Sequence, residues 1–278
     1  MKLLDGHTKN QIVSFIKKEV TIIFYHVLYH FFIMKHSVKL FAIVFMAFPF
    51  LSSCIFVNQK PVYGNHQLVN QQIKIEDYES IVLKIPGEVN YQQFSDSTPY
   101  FQIHTDENIF NALDVRVEGN QLIIEAKKDS LLKPSQLTVY TCSHNLNRAG
   151  LYGSGEIRLK GEVNAKKFEL NIFGSGNLLA DSLLCEKMEA NIFGSGNAQL
   201  TGACVNSSFK IAGSGSVQGF NFLVQELNCE IIGSGNVETL VTKKLDANIK
   251  GSGNLSYRGD PESINKKVMG SGKVISAN

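Results

Sequence analysis

Apolar and polar residues alternate along the second half of this chain in a frame that repeats around the triplet Gly-Ser-Gly. The triplet starts at Gly153, Gly174, Gly194, Gly213, Gly233, Gly251 and Gly270, at intervals of 21, 20, 19, 20, 18 and 19 residues. Such self-similarity is the mark of a solenoid. Two residues before each triplet stands Leu151, Ile172, Ile192, Ile211, Ile231, Ile249 or Val268. Four residues after its first glycine stands Ile157, Leu178, Ala198, Val217, Val237, Leu255 or Val274. Farther out, Phe168 and Leu170, Met188 and Ala190, Leu227 and Cys229, and Leu245 and Ala247 alternate with Glu and Asn. A period of two specifies strands with one face inward.

Each repeat therefore reads as a strand, a tight corner, a second short strand and a variable return loop. Stacked copies would pair strand on strand at about 4.8 Å. Glycine suits the corner at both its outer positions, since it accepts positive φ and leaves room for the turn above. The closing glycines are Gly155, Gly176, Gly196, Gly215, Gly235, Gly253 and Gly272. The expected fold is an all-β, single-domain β-solenoid of β-helix type, and crossover rules make right-handed winding the expectation.

The residue after the corner is Asn177, Asn197, Asn236 or Asn254 in four copies and Ser216 in another. This predicts an amide ladder bonded along the stack, although asparagine also favours turns for purely local reasons. The triplet is not a phosphate loop, because no Gly-Lys-Ser/Thr follows it.

Upstream of the repeats, residues 73–150 read as a β-rich cap with irregular first rungs. Ser80–Ile85 is closed by Pro86-Gly87, with Glu88–Phe94 as its partner. Gly119-Asn120 marks a two-residue hairpin, Lys127–Ser135 reads as a charged loop, and Asp106–Leu113 has room for one helical turn. Residues 54–72 have no periodicity and read as a polar tether. At the far end Lys266 stands at an inward position, as in a last rung built to meet water.

The N-terminus changes the picture of where the protein works. Met34–Lys39 is a short basic stretch, Leu40–Phe50 is apolar, and Leu51-Ser52-Ser53-Cys54 places small residues before a cysteine. This resembles a bacterial lipoprotein signal over 34–53, with cleavage before Cys54 and a lipid on its thiol. Residues 1–33 fit no part of such a signal and read as an upstream extension from a start codon chosen in error. A membrane segment over Glu19–Met34 is the alternative, short for a span. Lipidation would leave the protein anchored in the cell envelope, with a periplasm-facing position favoured over the cell surface.

Charge adds little. The whole chain has 27 Lys and Arg against 25 Asp and Glu. Six of the lysines and two of the acids lie in the first 53 residues, leaving 21 against 23. Nothing in that balance points to nucleic acid. Cys142, Cys185, Cys204 and Cys229 match no zinc spacing, so no metal or cofactor is expected. Cys185 and Cys204 fall at matching places of adjacent repeats, where export would permit a disulfide and burial as free thiols is the ordinary alternative.

The head segment around "YESIVLKIPGEVNYQQ" and "LDVRVEGNQLIIEAKK", with serial "NIFGSGN" repeats, resembles the auto-transporter adhesin, head GIN domain family over about residues 78–275. That resemblance implies an exported protein, common in Bacteroidota, whose function is largely unassigned, and it implies no catalytic residue. Outward positions carry Asn, Ser, Glu and Lys instead of an apolar patch, which suits glycan or protein binding. A structural or signalling role is the alternative. A polysaccharide-active enzyme would need converging carboxylates, for which Glu169, Glu189, Glu230, Asp181, Glu186 and Asp246 are candidates. Solvent exposure is the simpler account of those acids. Tyr91, Tyr100, Tyr140 and Tyr152 are the candidates for sugar stacking.

Overall fold

A computed structural model of the chain describes residues 60–278 apart from 97 and 129. Cys54, the signal over 34–53 and the extension over 1–33 lie outside the described residues. The strands, in chain order, are β1 (Lys60–Tyr63), β2 (Leu68–Ile73), β3 (Ser80–Leu83), β4 (Glu88–Gln93) and β5 (Tyr100–Asp106). A single-turn helix α1 (Glu107–Asn111) follows, then β6 (Leu113–Glu118), β7 (Gln121–Ala126), β8 (Ser130–Lys133), β9 (Leu137–Ser143) and β10 (Arg148–Gly153). The long strands are β11 (Glu156–Gly174), β12 (Asn177–Gly194), β13 (Asn197–Gly213), β14 (Ser216–Gly233) and β15 (Asn236–Gly251). The chain finishes with β16 (Asn254–Arg258), β17 (Ser263–Met269) and β18 (Lys273–Ser276).

The fold is a β-solenoid of stacked parallel coils. β11, β12, β13, β14 and β15 pair in parallel, each with the next, in the register that the Gly-Ser-Gly frame dictates. The return loop expected in each repeat is absent. The strand instead continues from one corner to the next and bends on the way, with register shifts such as those between Leu159 and Glu162 or Ala180 and Leu183. Bulges let a strand turn while its ladder resumes on the far side. In β12 the inward residues form three runs, Leu178 with Ala180, then Leu183, then Met188, Ala190 and Ile192. Each run stacks on its equivalents above and below to form one continuous apolar core.

The corner explains its own composition. The Gly174 carbonyl accepts N–H bonds from both Ser195 (2.9 Å) and Gly196 (3.0 Å) of the next coil, and Gly176 accepts from Asn197 (3.1 Å). This double acceptance draws the corners together. A Cβ on Gly194, where φ is +123°, would lie 2.5 Å from the Gly174 carbonyl oxygen. Gly196 has no such φ, but a Cβ there would meet the Gly176 carbonyl oxygen and Ile172 Cγ2, both at 2.5 Å. The first glycine is thus required twice over, and the third by space alone.

The first coil lacks the triplet. β3 and β4 do not pair with each other, contrary to the sequence expectation. They are successive sides of one coil, with β3 parallel to β10 and β4 parallel to β11. Gly87, with φ +145°, turns the corner between them, and its carbonyl accepts from the Glu156 N–H. One layer farther out, β7 and β9 continue the stack, pairing in parallel with β3 and β4. The antiparallel partners β6 and β5 then cover them, with β6 and β7 joined through Gly119-Asn120.

Two loop readings are corrected. The polar tether expected over 54–72 gives way to strand from Lys60 onward, where β1 pairs with β8 and β2 with β5. β8 itself lies inside the expected charged loop. β1 and β8 form a two-stranded edge sheet that packs Leu132 and the half-buried Val62 against the core and leaves most other side chains to water, so a full alternation of apolar residues is not needed. Asp106 fastens this region. Its carboxylate accepts from Ser135 Oγ (2.6 Å), the Ser135 N–H (2.8 Å) and the His66 N–H (2.8 Å). Burial alone would raise its pKa, but these bonds outweigh it and hold the carboxyl below its ordinary value.

Candidate functional site

Outward residues on the strand after each corner form an open concave surface. A groove of about 390 Å³ runs across four coils and is lined by Ser216, Gln218, Asn236, Glu238, Asn254, Ser256 and Ile275, with Val217 and Val237 between them. The polar side chains stand in two columns because of register. Ser216, Asn236, Asn254 and Lys273 are successive partners, as are Gln218, Glu238, Ser256 and Ile275. Just beyond these columns Arg258 places its guanidinium 4.3 Å from the centre of the Phe220 ring, joining two coils that are not adjacent.

The amide ladder exists in two pieces. Asn197 Nδ2 donates to Asn177 Oδ1 (3.1 Å) and Ser216 Oγ donates to Asn197 Oδ1 (2.7 Å). Asn254 Nδ2 donates to Asn236 Oδ1 (3.1 Å). Among the described residues no bond joins Ser216 to Asn236, and this break lies in the groove. A second amide pair, which the sequence reading placed in water, links Asn191 Nδ2 to Asn171 Oδ1 at 3.0 Å on a half-buried face.

The candidate carboxylates do not converge. Glu169 pairs with Arg148, Glu189 with Lys167, Asp246 with Lys244, and Glu230 with Lys210 and Lys250. Glu169 is held below the ordinary carboxylate range, chiefly by the Asn171 amide. Among the described residues no group of three or more His, Cys, Asp and Glu side chains could hold a metal ion.

The tyrosine candidates also separate. Tyr91 is buried and bonds Ser143, whereas Tyr140 and Tyr152 are exposed. Tyr152 belongs to a feature that the sequence reading overlooked. The residue directly before the corner points outward, and Tyr152, Phe173 and Phe193 form an exposed aromatic stack (44, 39 and 37 % exposed). Their ring centroids are 5.0 and 5.1 Å apart and their planes within 12° and 8° of parallel. Ile232 and Met269 continue the column farther along. The expectation of wholly polar outward positions therefore fails on this side, because the period-two argument assigns a face and not a polarity. The one inner ring, Phe173, has both faces covered by its neighbours and offers only its edge.

Cys185 and Cys204 are in-register partners on β12 and β13. Both thiols are free in this structure, the ordinary alternative to the disulfide that export would permit. Parallel in-register positions set Cβ atoms about 4.8 Å apart, beyond the roughly 3.5–4.5 Å that a disulfide spans.

The family model described as "Putative auto-transporter adhesin, head GIN domain" matches residues 77–261. The chain belongs to this family. Solved structures with a similar fold come from Parabacteroides and Bacteroides species. A protein described as a putative lipid binding protein from Parabacteroides distasonis is 29% identical, with a TM-score of 0.68, over 79% of this chain and all of that one. A putative adhesin from Parabacteroides merdae is 26% identical, with a TM-score of 0.64, over 78% of this chain and 99% of that one. A putative adhesin from Bacteroides fragilis, at 22% identity, has a TM-score of 0.74 over 77% of this chain and 99% of that one, a likeness of fold. No curated protein matches the chain.

Proposed function

We propose that this head GIN protein is a lipid-anchored, non-enzymatic envelope adhesin that binds a glycan in the groove between Ser216 and Ser256. The observation that carries the reading is the lining itself. Amides, a carboxylate and hydroxyls recur there at rung spacing and offer both donors and acceptors. A sugar presents the complementary alternation of hydroxyl groups. The groove falls in the lower part of the usual range of about 300–1,000 Å³ for small-ligand sites. Membership of an adhesin family and the Parabacteroides merdae relative described as an adhesin support the same reading.

A glycan array probed with the full chain tests it. Bound glycans should be released by Asn236→Ala and Glu238→Ala, each weakening affinity about tenfold or more, the loss of one good hydrogen bond or more. Glu169→Ala, on another side of the coil, should leave binding unchanged. An array without hits, or hits indifferent to Glu238, would overturn the reading.

The anchor rests on the sequence around Cys54. The cellular protein should start at Cys54 and carry acyl groups by mass spectrometry, and Cys54→Ala should leave it unlipidated. Recovery of an intact Met1 terminus would end the proposal of an anchor. The exposed stack from Tyr152 to Phe193 favours a second reading, a structural or signalling component contacted along that edge by another protein.

A further inference from the structure

Four residues at the second bend of two adjacent coils gather soft donors that the fold itself does not require. At the first position of this bend, successive coils carry Ala165, Cys185, Cys204 and Val224, all in register. At its second position they carry Phe168, Met188, Ser207 and Leu227. Apolar residues fill both positions on either side, so sulfur and hydroxyl groups are confined to the middle pair of coils. Met188, Cys204 and Ser207 are buried, and Cys185 is half-buried at the edge of the core.

The Ser207 hydroxyl is the second observation. Ser207 is only 5 % exposed, and its Oγ has no hydrogen-bond partner among the described residues. It lies beside the Cys204 sulfur without a well-formed bond to it. A buried hydroxyl left unpaired costs about 1–3 kcal/mol, and its in-register neighbours, the Met188 thioether on one side and the Leu227 hydrocarbon on the other, carry no such hydroxyl.

We propose that Cys185, Cys204 and Met188 form a binding site for a soft monovalent cation, Cu(I), with the Ser207 hydroxyl beside it. Two arguments select this ligand. The rung spacing of about 4.8 Å is too wide for a sulfur–sulfur bond. It matches two metal–sulfur bonds of about 2.3 Å each, placed end to end. The donor set is two thiols and a thioether, which favours Cu(I) over harder ions. Zinc would want four strong nitrogen, sulfur or carboxylate ligands, and the bend supplies two.

Binding is a ligand exchange with no redox step. Each thiol transfers its proton to water, two thiolates coordinate one Cu(I), and the site changes by one net negative charge. Cys204 is buried with its Sγ 3.2 Å from the Asn206 carbonyl oxygen, so binding exchanges this S–H contact for the metal. Cys185 gives the metal its access, and Lys187, exposed on the outside of the bend between Cys185 and Met188, supplies the nearest positive charge in sequence.

The test uses the full chain, fully reduced and free of oxygen, competing for Cu(I) against bicinchoninate. The expected result is one Cu(I) retained per chain, with sulfur-only first neighbours by X-ray absorption. The repeats themselves suggest replacements that should fold. Cys185→Ala with Cys204→Val restores the residues of the flanking coils and should abolish retention. Met188→Leu, as at Leu227, should weaken it roughly 10–100-fold. Cys142→Ala and Cys229→Ala should leave it intact. Three results would overturn the proposal: no retained Cu(I), retention by the double variant with unchanged circular dichroism, or oxidation of the two thiols to a disulfide in a chain that takes up no copper.

Discussion

Gly194→Ala should destabilise the protein by about 4 kcal/mol or more, a loss at the extreme of single substitutions. Two costs combine. An alanine at φ +123° is in a region almost closed to L side chains, worth about 1–3 kcal/mol. Its Cβ would also press on the Gly174 carbonyl oxygen, and retreat would break the two hydrogen bonds that this oxygen accepts from Ser195 and Gly196, each worth about 1 kcal/mol. Two comparisons separate the causes. Gly153 has φ +119° but nothing within 4 Å of its would-be Cβ, so Gly153→Ala should show the conformational cost alone. Gly196 lacks the positive φ, so Gly196→Ala should show the overlap alone. Denaturant unfolding of the three variants decides it. A Gly194 variant no weaker than the Gly153 variant would mean that close coil approach does not select glycine here.

Ile192→Ala and Ile231→Ala should each cost about 2–5 kcal/mol, because both side chains are fully buried between equivalents on the adjacent coils. A solenoid core is one residue deep along its axis, and the backbone ladder fixes the rung spacing, so the coils cannot collapse into the void. Their sequence neighbours should behave differently. Asn191→Ala gives up one amide bond to Asn171, worth about 1 kcal/mol. Glu230→Ala loses contacts to Lys210 and Lys250 that are largely solvated, worth about 0.5 kcal/mol. Equal losses in the two classes, read from denaturant midpoints at constant slope, would show that the inward and outward faces are exchanged.

Much of this architecture was legible because a solenoid writes its register into the chain. The apolar residues on either side of Gly-Ser-Gly, such as Ile172 and Leu178, have to recur at rung intervals or the core opens. The bends carry no such signature. Lys160-Gly161, Asp181-Ser182 and Thr201-Gly202 have no residue type common to all three, so a continuous bent strand looked like a strand and a loop. β1 and β2 were missed because a short edge strand needs no strict alternation, and Leu68–Ile73 places its apolar residues at its two ends around Asn70-Gln71-Gln72. The groove was half legible. Its polar residues follow from the period of two, whereas its concavity arises between residues 18–20 positions apart, such as Gln218 and Glu238 or Glu238 and Ser256. Tyr152 was legible as a candidate stacking ring, but its continuation through Phe173 and Phe193 depends on register between coils, which places these three pre-corner residues in one column.

The register shifts also say where this chain can change length. Repeats vary from 18 to 21 residues, yet from β11 to β15 the eight positions ending at the first glycine pair without interruption, as Lys167–Gly174 does with Lys187–Gly194. All the slack is taken up at the bends, above all at the one following the post-corner strand. Evolution can therefore lengthen or trim a coil there by a residue or two and leave the corner and its neighbours untouched. A deletion of one residue between Lys187 and Gly194 has no such outlet and would turn a whole side of the coil inside out. Growth of the protein as a whole is quantised in complete turns, and any ligand that reads several rungs measures its own length in the same unit.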